Sequence, residues 1–221
     1  METPYDSYGA ILNTHGLFAF IGFLASRVTL ILPTGILNWI AMTPRLGPLC
    51  VDSDGRAKPV WQDSVVLALA IVTLWLFWAG TAGPPPSTCL QVLSWILLAD
   101  MVSYHARVLW FDDLQPHKLW VQLRVASHRR VFFQALINLA ESVLLFAVLY
   151  GSHLDDSNRD QATQASFEVA TTLSRPEALR GVSNPLVNTQ VAVSLFFLVV
   201  VISIVASVGY AREEAGPRSS Q

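Results

Sequence analysis

Three ionisable residues stand inside long apolar runs of this chain: Arg27, Asp100 and Glu141. A charge at the centre of a bilayer costs several kcal/mol on most estimates, so such residues pair, line a water-filled path or carry protons. Counted from the same end of their runs, Arg27 and Asp100 lie about eleven and twelve residues deep, roughly 17 Å at 1.5 Å per residue. This shared depth predicts that Arg27 pairs with Asp100. Glu141 lies about nine residues deep and is a rival partner. His105 and Arg107 fall nearer the opposite face, where long side chains reach water. A voltage sensor wants Arg or Lys at every third position of one span, and no span here has that. The expected role of the three charges is a buried network that holds helices together. A voltage or proton sensor is the functional alternative.

A second group of residues with chemistry is the string Thr171-Thr172-Leu173-Ser174-Arg175-Pro176-Glu177. Motifs of other chemistries are missing. There is no HExxH, CxxC, GxGxxG, Walker A or GxSxG string, and His105 and His128 stand alone. No catalytic residue, metal site or cofactor is expected.

The elements that position these residues follow from composition. The chain has 221 residues, of which 52% are apolar and 14% charged. A soluble domain carries roughly 25% charged residues. The apolar residues gather in runs of about twenty, the length that spans a bilayer core. Five spans are expected, at 16–42, 64–82, 88–111, 131–150 and 187–210. Pro33 and Gly35 are expected to kink the first, which is too long for a signal peptide and has no basic stretch before it.

Lys and Arg set the orientation. Linker 43–62 holds Arg45, Arg56 and Lys58. Linker 112–130 holds Lys118, Arg124, Arg129 and Arg130, and the tail holds Arg212 and Arg218. Residues 1–15 and the turn around Pro84-Pro85-Pro86 hold none. This alternation predicts an inner (plasma) membrane protein with its N-terminus outside and its C-terminus in the cytoplasm. Cys50 and Cys89 then lie on opposite sides as free thiols. The net charge of −2 gives no reason to expect a nucleic-acid partner.

Four regions are expected: a three-span bundle over 1–111, a basic interfacial helix over 112–130, a two-span module over 131–211, and a tail over 212–221. In the interfacial helix, Leu119, Leu123 and Ala126 share one face and Trp120 suits the headgroup layer. Between the last two spans, 165–173 predicts about two turns of helix, ended by Pro176 at or before Arg175. A short helix followed by extended chain is how a re-entrant loop is built, because irregular backbone at membrane depth needs protein or a cavity around it.

Over 131–211 the sequence resembles the two-span pore module of the potassium-channel superfamily. SFEVA resembles the end of a pore helix, NLAESVLLFAVLY an outer helix, and the last span, with Ser203, Ala206, Ser207 and Gly209, an inner pore-lining helix. The string at 171–177 stands where such modules carry T-T-V-G-Y-G-D. The resemblance implies an all-α integral membrane fold with a short re-entrant pore-like helix, assembled as a homotetramer in the lipid bilayer with monovalent ions as ligands. It departs where the filter glycines would be. Ser174 and Pro176 replace them, and proline fixes φ near −65°. Arg175 puts positive charge beside a cation path, while Thr171 and Thr172 keep their hydroxyls and Glu177 keeps acidity. Filter carbonyls replace the hydration shell of the ion, so the expected function is an ion-channel-like protein that is not potassium-selective. A non-conducting scaffold or sensor that retains the fold is the alternative, and a small transporter using the intramembrane charges is the second.

Overall fold

A computed structural model describes residues 32–34, 36–37, 59–82, 85–106, 128–154 and 161–214. The described residues are helical, with no strand among them. The helices are α1 (Pro59–Thr81), α2 (Thr88–Ala106), α3 (His128–Gly151), α4 (Gln161–Thr172) and α5 (Asn184–Glu214), with a single 3-10 turn at Glu177–Leu179. Four are long and apolar enough to cross a membrane: α1 over Asp63–Thr81, α2 over Thr88–Ala106, α3 over Phe132–Gly151 and α5 over Asn184–Val205. The chain is therefore a multi-pass membrane protein.

The second to fifth expected spans are thus helices, each within a few residues of the expected limits. The first, with Arg27, lies outside the described residues apart from 32–34 and 36–37. The interfacial stretch lies outside them too, except that 128–130 form the opening turn of α3.

The chain divides into two compact units: Met1–Leu69 with Ile96–Arg124, and Ala70–Trp95 with Val125–Gln221. In the first, Leu97, Leu98 and Met101 are buried apolar residues, and buried Asp100 and His105 lie among them in sequence. His105 Nδ1 bonds the Met101 carbonyl at 3.1 Å, the local bond of a polar side chain in a helix.

In the second unit α3 is the hub. Over half of its span (56%) is buried inside the protein, against 22% for α1 and 33% for α5, so α3 has protein on most sides. Residues Leu145 to Tyr150 are almost wholly inaccessible. Trp95 meets Phe146 edge-on, with ring centroids 6.1 Å apart. Gly80 meets Val148 so closely that a Cβ on the glycine would stand 2.8 Å from Val148 Cγ1. Small residues let helices approach in a bilayer, where packing replaces the hydrophobic effect as the driving force. The remaining face of α1 carries Leu67, Ile71, Leu74, Trp75 and Trp78, all exposed, as a lipid-facing surface requires.

Candidate functional site

α4 has 12 residues, so it is about 18 Å long and too short to span. Its buried residues Ala162, Ala165, Ser166, Val169 and Ala170 follow the i, i+3, i+4, i+7, i+8 pattern of one helix face. Four of the five are alanine or serine, which lets the α4 backbone lie close to its neighbours. The helix begins four residues before the expected start. Ala162 is fully buried, so packing holds the polar stretch Gln161–Gln164 in a helix that local sequence does not announce.

A chain of buried hydrogen bonds ties α4 to both neighbouring spans. The Ser166 hydroxyl donates to the Val143 carbonyl of α3 at 2.7 Å. Gln190 Nε2 of α5 donates to the Ser166 carbonyl and to its Oγ, each at 2.8 Å. The Tyr150 hydroxyl of α3 donates to Gln190 Oε1 at 2.5 Å. Tyr150, Ser166 and Gln190 are at most 1% exposed. Each bond is worth about 0.5–1.5 kcal/mol net, while leaving one of these groups unsatisfied costs about 1–3 kcal/mol. The larger second figure is what fixes α4 in place.

Past Thr172 the chain turns sharply. Leu173 has φ 54°, and its N–H donates to the Val169 carbonyl at 2.9 Å. This is a left-handed helix cap at a position where glycine is usual. The Thr171 hydroxyl donates to the Phe167 carbonyl at 2.9 Å and the Thr172 hydroxyl to the Glu168 carbonyl at 2.7 Å. Thr172 Oγ1 also lies 2.7 Å from Ser174 Oγ. Pro176 is buried in extended conformation and leads into the 3-10 turn.

Arg175 closes that turn. Its guanidinium donates to the carbonyls of Leu179 (3.0 Å from Nε), Arg180 (2.5 Å) and Val182 (2.7 Å), and to Asn184 Oδ1 at the start of α5. Charge-assisted bonds of this kind are roughly twice as strong as neutral ones. The Glu177–Arg180 pair at 2.7 Å is exposed on both sides and contributes about 0–1 kcal/mol.

The expected site residues therefore divide. Those of 171–177 form one continuous structure, in which Thr171, Thr172, Ser174, Arg175 and Glu177 are exposed, Leu173 is half-buried and Pro176 is buried. Arg27 lies outside the described residues. Asp100 is buried and accepts from the Thr34 hydroxyl at 2.5 Å and from the Thr34 amide at 3.2 Å. Thr34 thus gives the buried Asp100 carboxylate two hydrogen bonds, one from its backbone and one from its side chain. Glu141 is 6% exposed, and its Oε1 has no hydrogen-bond partner among the described residues. Among the described residues no group of three His, Cys, Asp or Glu could hold a metal.

Sequence reasoning missed Tyr150, Ser166 and Gln190. The available signal was Gln190 itself, an amide six residues into an apolar span. An amide there must find a partner, because lipid offers none. Comparison with protein families, with characterised proteins and with solved structures gave no match.

Proposed function

We propose that the chain is an ion-channel-like protein of the inner (plasma) membrane, with its N-terminus outside and its C-terminus in the cytoplasm. In this reading α3, α4 and α5 form a pore-type module that assembles as a homotetramer, with α4 as a re-entrant helix. The observation that carries it is the Ser166–Val143 bond. Val143 lies eight residues before Gly151, about 12 Å below the end of the span, so a bond there supports α4 entering the membrane rather than lying on it. The negative end of the α4 dipole, with the hydroxyls of Thr171, Thr172 and Ser174, then gives a small polar region that favours cations. The segment 171–177 offers no glycine-built carbonyl ladder, so the module is not potassium-selective.

One observation favours a second reading, a non-conducting scaffold or sensor. The carbonyls of Leu179, Arg180 and Val182 converge on a cation, but that cation is the chain's own Arg175. A tethered guanidinium occupies what a free ion would otherwise use.

Flux of potassium, sodium and chloride through liposomes bearing the purified protein decides between the two. The channel reading expects flux above empty liposomes, with selectivity altered by Arg175→Ala and Glu177→Ala. Folded protein that passes no ion, as parent or as either variant, leaves the scaffold reading.

A further inference from the structure

α3 and α4 leave a groove between them, beside the Ser166–Val143 bond. One wall is the α3 face of Leu136, Leu139, Ala140, Val143 and Leu144, spaced i, i+3, i+4, i+7 and i+8. The other is a face of α4 with Phe167 and Ala170 at its centre and polar residues at either end. The groove has a volume of about 740 Å³, and one side of it is open. α4 rises about 18 Å against about 30 Å for the span of α3, so it cannot cover α3 from end to end. Ala140 and Ala170 bring only a methyl group each to the lining. The Ser166–Val143 bond, at 2.7 Å, sets the spacing of the two helices that form the walls.

Location, charge and size together define the occupant. The α3 wall lies within Phe132–Gly151, so it stands in hydrocarbon and not in water. None of the lining residues is ionisable, which suits an uncharged, apolar occupant. The volume falls within the about 300–1,000 Å³ of small-ligand sites. Ten residues line the groove, whereas a stable protein interface takes about 20–30 residues a side, so it is too small to seat a second copy of the chain. The open face of α1, with Leu67, Ile71 and Trp75 exposed, meets lipid from one side only. A hydrocarbon chain lying in the groove touches protein on two sides. A void left there would forfeit those contacts outright.

We propose that this groove binds one acyl chain of a membrane lipid and holds it more tightly than the open faces of the helices do. The lipid tail completes the packing of the short helix α4 on α3. The site does not depend on the channel reading, because it needs only that α4 packs on α3.

The test uses the full chain in micelles of a steroid detergent, which has no alkyl chain to compete. The probe is phosphatidylcholine with a photoactivatable diazirine in one acyl chain, and labelled peptides are mapped by mass spectrometry. Labelling at 136–144 and 163–171 is expected to saturate as the probe is raised, while labelling on 63–81 of α1 keeps rising. Ordinary phosphatidylcholine should compete for the groove and raise the melting temperature of the parent, as a ligand of the folded state does. Ala140 is exposed, so Ala140→Trp puts bulk into the groove without entering the core. It is expected to cut groove labelling several-fold and to abolish the lipid-dependent rise in melting temperature. Leu67→Trp, which adds the same ring on α1, should change neither. Phe167→Ala removes part of a wall without adding bulk and should also weaken groove labelling. The proposal is overturned if groove labelling rises with the probe as on α1, or if Ala140→Trp and Phe167→Ala leave it unchanged. It is also overturned if the groove labels only when the protein is diluted to single chains, since a second copy then covers it.

Discussion

Tyr150 donates to Gln190 Oε1 at 2.5 Å across forty residues of sequence, and Gln190 in turn donates to both oxygens of Ser166. One amide therefore joins three helices. Its carbonyl oxygen serves α3, its NH2 serves α4, and its backbone belongs to α5.

Removing that amide is expected to cost more than removing any other member. Gln190→Leu orphans the Tyr150 hydroxyl and removes two bonds to Ser166, whose hydroxyl still donates to Val143, for a loss of about 2–6 kcal/mol, given about 1–3 kcal/mol for an orphaned group and about 0.5–1.5 kcal/mol for each lost bond. Tyr150→Phe leaves only Gln190 Oε1 without its donor and should cost about 1–2 kcal/mol. The double variant should lose less than the sum, because Gln190→Leu already strands Tyr150. Equilibrium unfolding of the four proteins in detergent checks this, and additive losses would mean that the three helices are not coupled through Gln190.

The close approach of Gly80 to Val148 predicts a size-dependent penalty. A Cβ at position 80 would stand 2.8 Å from Val148 Cγ1 and 3.4 Å from its Cβ. Valine is stiff at χ1 in a helix and cannot turn away freely. Gly80→Ala should therefore destabilise by about 1–2 kcal/mol, overpacking outweighing a gain in helix propensity of up to about 1 kcal/mol. Gly80→Leu should cost more. Adding Val148→Ala should restore much of the Gly80→Ala loss. A Gly80→Ala variant more stable than the parent would mean that α1 and α3 separate at little cost.

Leu173 adopts φ 54°, where a side chain costs roughly 1–2 kcal/mol. Its side chain is half-buried, so truncation alone also has a cost. Comparing two truncations separates the effects. Leu173→Gly should be more stable than Leu173→Ala by about 1 kcal/mol, since both lose the same contacts and only glycine accepts the left-handed cap freely. Thermal unfolding of the pair reads the difference directly, and equal stability would show that the cap reorganises once the leucine is gone.

The four spanning helices were legible in the sequence because their signal is local and long. A run of about twenty apolar residues is helical in lipid whatever it packs against, since no other backbone satisfies its hydrogen bonds there. Asp100 and Glu141 were legible as buried for the same reason. The bond from the Thr34 amide to Asp100 was harder to read, because a backbone amide carries no sequence label. The role given to 171–177 came from the resemblance, and the turn-closing bonds of Arg175 were not part of it.

By itself, then, the sequence determined that the chain is a multi-pass helical membrane protein with a short amphipathic helix before its last span. Composition and run length decide that without reference to neighbours. Only the tertiary structure decided that α4 begins at Gln161, that Gln190 holds it to α3, that Arg175 closes a turn, and that Gly80 meets Val148. Each of these depends on groups far apart in the chain meeting within a few ångströms. A hydrogen bond or a close contact is fixed by that distance, and residue type and spacing do not encode it.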